Sequence, residues 1–264
     1  MSQLPRRRVL TALAFAPMAG TPLAAVLSDP RLARAAAAGL EEVSLTTAGG
    51  KAVKAALALP AKTPAPAILL VHEWWGLNDQ IKAVAAEFAR EGYVALAVDL
   101  YDGRVATARD QAGAYMQAVD PAEATDTLAS WVAWLRRHPK ATGKVGTVGW
   151  CFGGGWSLNA SIAAPVEATV IYYGRVDRPA EDLKSLEGPV LGHFATRDKW
   201  IDEEMVAGFE RAMRAAGKSL EVHWYEADHA FANPTGARYD AEDAQLAWRR
   251  TLAFFRKHLN TKSR

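Results

Sequence analysis

Apolar residues along this chain keep two different spacings, and the two alternate. Unbroken apolar runs at 67–72, 93–98, 168–173 and 190–195 predict strands buried on both faces. Runs at 43–47 and 53–59 flank Gly49-Gly50 and predict a hairpin, with a proline-rich connector over 60–66. A short apolar run from Lys144 to Gly149 and an alternating one over 220–225 predict two more strands. Helical spacing lies between them. Over 79–90, Ile81, Val84, Ala85 and Phe88 share a face, and Gly92 stops the helix. A short irregular or helical stretch then leads to Asp120-Pro121-Ala122-Glu123, which predicts a helix start with a capping box. Leu128, Trp131, Trp134 and Leu135 form that helix's core stripe, and Pro139 ends it. A segment with helical character covers 156–163, with Phe152 turning into it. Asp202 caps a helix over 203–216, stopped by Gly217. Asp240 caps a last helix to about His258, with Leu246, Leu252 and Phe255 inward. Strands alternating with helices predict an α/β fold, a mostly parallel central sheet of about eight strands with helices on both faces.

Composition narrows the class without naming a function. Half of the 264 residues are apolar and 23% are charged, as in an ordinary globular domain, here expected over 41–260. The net charge of +2 is unevenly spread. Residues 1–35 hold five arginines against Asp29, a balance of +4, and taking that from +2 leaves −2 for the remainder. A mildly acidic body without a basic stripe argues against a nucleic-acid partner. One cysteine excludes an intramolecular disulfide and any multi-cysteine metal site.

The first residues read as an address. Arg6-Arg7-Arg8-Val9-Leu10 precedes an alanine-rich apolar stretch interrupted by Pro17, Gly20 and Pro22. This resembles a twin-arginine export signal over 1–38, with cleavage expected around Ala25 or at 35–38. The mature chain is then expected in the periplasm or outside the cell. The alternatives are a membrane anchor or a cytoplasmic tail. The stretch is short and proline-broken for a spanning helix, so no stable membrane insertion is expected.

Candidate chemistry gathers where strands end. Gly149-Trp150-Cys151-Phe152-Gly153 joins a strand to a helix with a thiol at the turn. The pattern resembles the nucleophile elbow of α/β-hydrolases with cysteine in place of serine. A phosphate loop or an inert buried cysteine would also fit those residues alone. Three other reactive residues follow strand ends: Glu73, Asp198 and His229. In a doubly wound sheet all four share the carboxyl rim, where ligands bind. The order nucleophile Cys151, acid Asp198, base His229 is the chain order of α/β-hydrolase triads. Asp198 could instead cap a turn, with Asp228 and Asp202 as rival acids. Glu73 could pair with an arginine. The N–H groups of Phe152 and Trp74 are the expected oxyanion donors. Trp74, Trp75 and Trp200 read as an apolar pocket wall or as core. His72, His193 and His223 read as core or rim, and His138 and His258 as helix ends.

The segments His72-Glu73-Trp74-Trp75-Gly76-Leu77-Asn78, Asp99-Leu100-Tyr101, Gly149-Trp150-Cys151-Phe152-Gly153-Gly154 and Asp228-His229-Ala230-Phe231 together resemble the dienelactone hydrolase family from about Glu41 to His258. The resemblance implies a lactone or carboxylic ester hydrolase with a Cys151–Asp198–His229 triad and a cysteinyl acyl-enzyme. It implies a Glu73 that helps control the thiol, so that thiolate forms only with substrate present. It implies a small-molecule ester or lactone as partner, a monomer, and neither metal nor organic cofactor. Tyr101, Arg104, Phe231 and Asn233, with Trp75 and Trp200, are the expected substrate contacts. Two positions depart from the pattern. Asn233 stands where the family carries an arginine four residues after the histidine, and Gly103 displaces Arg104 by one. An asparagine cannot neutralise a carboxylate, so the anionic lactones of the family are in question unless Arg238 substitutes. The alternatives are a thioesterase or small-amide hydrolase with the same triad, a silent binding protein of this fold, and a redox sensor at Cys151.

Overall fold

The computed structural model describes residues 26–27 and 29–260. The twin-arginine motif and most of the apolar stretch after it lie outside the described residues. Eight strands form one sheet: β1 (Glu41–Thr46), β2 (Ala52–Ala58), β3 (Ala65–Val71), β4 (Val94–Val98), β5 (Ala141–Trp150), β6 (Ala168–Tyr172), β7 (Val190–Ala195) and β8 (Leu220–Tyr225). Their spatial order is β1-β2-β4-β3-β5-β6-β7-β8. β2 pairs antiparallel with both β1 and β4, and every other pairing is parallel, so only β2 runs against the rest. The expected mostly parallel α/β-hydrolase sheet is what the chain forms.

The described helices are α1 (Pro30–Ala37), α2 (Asp79–Arg90), α3 (Arg109–Gln117), α4 (Pro121–Arg137), α5 (Phe152–Ala163), the single turn α6 (Ala180–Leu183), α7 (Glu203–Ala215) and α8 (Ala241–Leu259). The pleat of β3 sorts its side chains between two cores. Ile68 and Leu70 pack with Ile81 and Phe88 of α2 and Phe255 of α8. Leu69 and Val71 pack with Leu128, Trp131 and Leu135 of α4. All four β3 residues are fully buried, which is why their run is unbroken in sequence. The stripe of α4 is core, as its spacing predicted.

Caps follow the sequence closely. Asn78, Asp120, Asp202 and Asp240 each accept a first-turn N–H of the helix they precede. The expected capping box at Asp120 is half formed. Asp120 accepts from Ala122 and Glu123, but the Glu123 carboxylate takes Lys51 Nζ at 2.9 Å instead of reaching back. A cation is a stronger donor than a backbone N–H. The stretch before Asp120 is helical over Arg109–Gln117.

The packed body begins before Glu41. α1 packs on α2, and Val26, Leu27 and Ala33 join the core cluster that holds Val84 and Phe88. Asp29 caps α1 through Arg31 N–H at 2.8 Å. Each fully buried Val or Leu contributes about 1.5–3 kcal/mol. Removing residues 1–38 should therefore lower Tm by about 5–10 °C relative to removing residues 1–25. Thermal denaturation of the two truncations checks this; equal Tm values would show that 26–38 adds nothing to the fold.

Candidate active site

β5 ends at Trp150 and α5 begins at Phe152, so a single residue makes the turn between them. That residue, Cys151, has φ 54° and ψ −118°, a left-handed conformation unfavourable for a side chain. The backbone around it is too tight for anything but glycine. A Cβ at Gly149 would lie 1.9 Å from Gly153 O, and one at Gly153 2.3 Å from Val71 O. The same glycines, poor helix formers, are why helical spacing becomes legible only from Trp156.

Four strand ends meet at the thiol. His229 Nε2 lies 3.1 Å from Cys151 Sγ. Its Nδ1–H donates to Asp198 Oδ2 at 2.6 Å, which leaves Nε2 with the lone pair that faces sulfur. Asp198 also ends a turn: its Oδ1 accepts from Trp200 N–H at 2.9 Å and Ile201 N–H at 3.1 Å. The two readings of Asp198 are thus both true, one for each oxygen. The rival acids are engaged elsewhere. Asp228 faces Arg197 at 3.7 Å, and Asp202 caps α7.

Glu73 lies in the loop after β3 and is 3% exposed. Its Oε1 accepts from Tyr173 O–H at 3.4 Å and its Oε2 from Asn233 Nδ2. Burial pushes its pKa up, against the opposing pull of the Asn233 hydrogen bond and the His229 charge. Burial, then the Glu73 charge, push the Cys151 thiol up to about 12. The Phe152 N–H opposes that rise, so this first-turn donor, free of any intrahelical acceptor, is aimed at the sulfur region. Trp74 is half-buried, its ring 5.0 Å from that of Trp75.

The expected substrate contacts divide. Trp75 is half-buried, and its carbonyl accepts from Ala106 N–H at 2.9 Å, tying the β3 and β4 loops together. Trp200 is 59% exposed and stands edge-on to the His229 ring at 5.1 Å. Tyr101 is fully buried beside Phe152, with ring centroids 5.6 Å apart. Arg104 is exposed but anchored: its Nε donates to Tyr101 O at 2.9 Å, and its guanidinium lies 4.7 Å over the Tyr115 ring. Three expectations need correction, the first being Tyr101, which has no exposed surface with which to meet a ligand. Phe231 is fully buried between the rings of Tyr173 and Tyr225 and has no surface to offer a ligand. Asn233 is buried and committed to Glu73 and Thr235, so it serves the site from behind.

Tyr173 was not legible as a site residue. It ends an apolar run and looks like core, yet its hydroxyl reaches Glu73 and its ring lies 5.2 Å from His229. The only signal was its place at a strand end before Gly174. Arg238, the candidate substitute for the missing arginine, does lie near the thiol. It lies 5.2 Å over the Trp200 ring, and its charge is felt at both Glu73 and Cys151. His72 and His193 are fully buried core groups with protein partners on both ring nitrogens. Among the described residues no cluster of His, Cys, Asp and Glu could hold a metal ion, and no helix is long and apolar enough to cross a membrane.

A mostly parallel sheet whose fifth strand turns through a glycine-flanked cysteine, with an aspartate and a histidine from later strand ends beside it, has the arrangement of the α/β-hydrolase class. The chain belongs to the dienelactone hydrolase family, whose model matches residues 53–259, and it is accordingly a hydrolase of lactones or carboxylic esters. It is 30% identical over 229 residues to a carboxymethylenebutenolidase of Pseudomonas putida, covering 81% of this chain and 95% of that one. It is 31% identical over 226 residues to protein usf of Aquifex pyrophilus, covering 80% and 95%. The fold is shared with P91, a dienelactone hydrolase-like promiscuous phosphotriesterase from metagenomic libraries. The TM-score is 0.75 at 22% identity, over 83% of this chain and 98% of that one.

A thiol held near 12 has on the order of a thousand times less thiolate at neutral pH than an ordinary cysteine of pKa about 8.5. Iodoacetamide should therefore alkylate the free enzyme at pH 7.5 at least about 100-fold more slowly than free cysteine, with the rate still rising at pH 10. A plateau reached below pH 8 would show a pre-formed thiolate instead.

Proposed function

We propose that the chain cleaves its lactone or ester through a Cys151–His229–Asp198 triad and a cysteinyl acyl-enzyme. The observation that carries this reading is the continuous pair of hydrogen bonds, 3.1 Å from Sγ to Nε2 and 2.6 Å from Nδ1 to Asp198. His229 Nε2 takes the thiol proton as sulfur adds to the carbonyl carbon. The resulting oxyanion accepts from the N–H groups of Phe152 and Trp74. Collapse breaks the bond to the alkoxy oxygen, which receives the proton from Nε2; in a lactone this opens the ring. His229 then deprotonates a water that attacks the thioester carbonyl, releasing the carboxylic acid and returning the proton to sulfur. Asp198 stays ionised throughout and holds the tautomer. Glu73 controls when the thiol gives up its proton.

Hydrolysis of p-nitrophenyl acetate by the wild type, Cys151→Ala, His229→Ala and Asp198→Asn checks the assignment. Each variant should lose at least about 10³ in kcat/KM, since triad members act as a unit. Retained turnover in Cys151→Ala would remove the thiol from the mechanism.

Arg238 supports a substrate with an anionic group. It has no ion pair among the described residues, it stacks on exposed Trp200, and its charge is felt at Cys151. Arg104, held by Tyr101 and Tyr115, is less free to take that role. Arg238→Gln should raise KM for dienelactone about tenfold, roughly 1.4 kcal/mol. Hydrolysis of neutral p-nitrophenyl acetate should change less than twofold. Equal loss on both esters would assign Arg238 to the architecture of the mouth.

The same reading places a monomeric enzyme outside the cytoplasm, exported by the arginine-rich leader. The burial of Val26 and Leu27 supports processing before them, not within 35–38.

A further inference from the structure

We infer that His72 is a positioning residue for the oxyanion site: its Nδ1–H holds the Glu73 carbonyl, and so fixes the peptide whose other edge carries the Trp74 N–H. This rests on the Trp74 N–H being the second oxyanion donor, as proposed above.

The peptide between Glu73 and Trp74 is a rigid trans plane, whose C=O and N–H leave opposite edges. Glu73 O accepts from His72 Nδ1–H at 2.6 Å and from Gly76 N–H at 3.2 Å, so both of its lone pairs are taken. Trp74 N–H, on the other edge, has no acceptor among the described residues. The Gly76 bond is a backbone turn that any residue at 72 would allow. The His72 bond is the one that a side chain supplies. A carbonyl held at one edge of the plane leaves the N–H at the other little freedom to swing, and a donor that need not reorient is what oxyanion stabilisation requires.

The ring of His72 is itself held. It follows β3 directly, is fully buried, and packs against Tyr101 and Phe152, with ring centroids 4.6 and 5.8 Å away. Its Nε2 accepts from Leu100 N–H, in the loop after β4, at 3.1 Å. These partners dictate where its proton sits. Glu73 O can only accept, so Nδ1 carries the hydrogen; Leu100 N–H can only donate, so Nε2 keeps its lone pair. The ring is therefore the neutral Nδ1–H tautomer, and burial favours the neutral form as well. His72 also meets the start of α5. Its ring lies nearly parallel to that of Phe152, and a Cβ at Gly153 would collide with its carbonyl oxygen. One side chain thus joins the loops after β3 and β4 to the helix start that carries the Phe152 N–H.

Hydrolysis of p-nitrophenyl acetate by the wild type, His72→Phe and His72→Asn tests this, with thermal melts of each and Cys151→Ala as the control for the triad. Phenylalanine keeps a ring between Tyr101 and Phe152 but offers no donor. Asparagine gives up the ring but keeps an N–H near the place of Nδ1. His72→Phe should lower kcat about 100-fold, the loss typical of one missing oxyanion donor, with KM changed less than about threefold. His72→Asn should keep kcat within about tenfold of the wild type, even where its Tm is the lower of the two. Iodoacetamide alkylation of Cys151 displaces iodide and develops no oxyanion, so His72→Phe should leave its rate at pH 7.5 within about threefold. Selective ¹⁵N labelling of histidine reads the unaltered chain: the ring signals that vanish in His72→Asn should show a protonated Nδ1 and a bare Nε2. A folded His72→Phe with wild-type kcat overturns the inference. The Nδ1–H tautomer present in that case would put the failure at Trp74 as a donor; an Nε2–H tautomer would put it at the hold on Glu73, and overturns the inference by itself. Equal losses in the Phe and Asn variants would assign His72 to packing alone, and alkylation slowed as much as hydrolysis would place its effect on the thiol. Either result also overturns it. Full hydrolysis by Cys151→Ala would instead remove the triad reading, whatever the His72 variants do.

Discussion

The site depends on one backbone constraint, the left-handed turn at Cys151. A side-chain-bearing residue at φ 54° is strained by roughly 1–3 kcal/mol, and it persists because its surroundings allow no alternative. Cys151 N–H is tied to Tyr172 O at 3.0 Å, and Gly154 N–H returns to Cys151 O at 3.0 Å. The helix that follows packs with almost no space against the neighbouring strand ends. A Cβ at Gly154 would lie 2.8 Å from Gly174 Cα. These close approaches fix the direction in which the sulfur leaves the backbone, and also bring the first helical N–H groups beside it. The thiol and the Phe152 N–H are therefore placed by one geometric feature. The remaining parts of the site are matched to where that turn puts the sulfur.

Charge around the sulfur is arranged to withhold reactivity. Burial and two nearby carboxylates, Glu73 and Asp198, disfavour a thiolate, and the Phe152 N–H and Arg238 only partly offset them. A lone thiolate in an exposed pocket would be open to oxidation. The N–H of Phe152, at the start of α5, is the donor that lies beside the sulfur. Asp198 also holds His229, through a 2.6 Å bond to Nδ1 made by a fully buried side chain.

The fold was legible because its signals are local and redundant. β3 and β4 are unbroken apolar runs, α2 and α4 carry clear stripes, and three helices begin at aspartate caps that the structure uses. The meeting of Cys151, Asp198 and His229 was legible because strand ends in a parallel sheet converge on one rim. What was not legible depends on backbone turns that no pattern announces. Ala230 has φ 66°, which folds the chain after His229 inward. Phe231 therefore enters the core between two tyrosines, and Asn233 arrives behind Glu73 instead of facing the mouth. Tyr173 was hidden for the opposite reason: an apolar run ending in tyrosine reads as core, and only the tertiary meeting with Glu73 gives its hydroxyl a role. The start of α5 at Phe152 was legible from the elbow pattern, although the glycines after it hide the helical spacing as far as Trp156. The region of α1, rich in alanine and arginine, read as an address although its helix covers part of the core.

The two arginines near the mouth show how turn geometry, more than residue type, distributes function. Arg104 follows Asp102 and Gly103, both left-handed at φ 53° and 83°. That double turn brings its side chain back over its own loop, where Tyr101 O and the Tyr115 ring occupy it. Asp99 enforces the turn by accepting the N–H groups of Tyr101 and Gly103. Arg238 has no such tether. It rests on the face of an indole that is itself exposed, a contact worth about 0.5–1 kcal/mol at such a site, weak enough for a carboxylate to redirect. The same positive charge is consumed by local structure in the loop after β4 and left untethered in the loop after β8. That loop also carries His229 and Asn233, so the untethered arginine, the histidine that meets Cys151 and the partner of Glu73 lie within ten residues of one another, and a change in the path of this one loop would move all three.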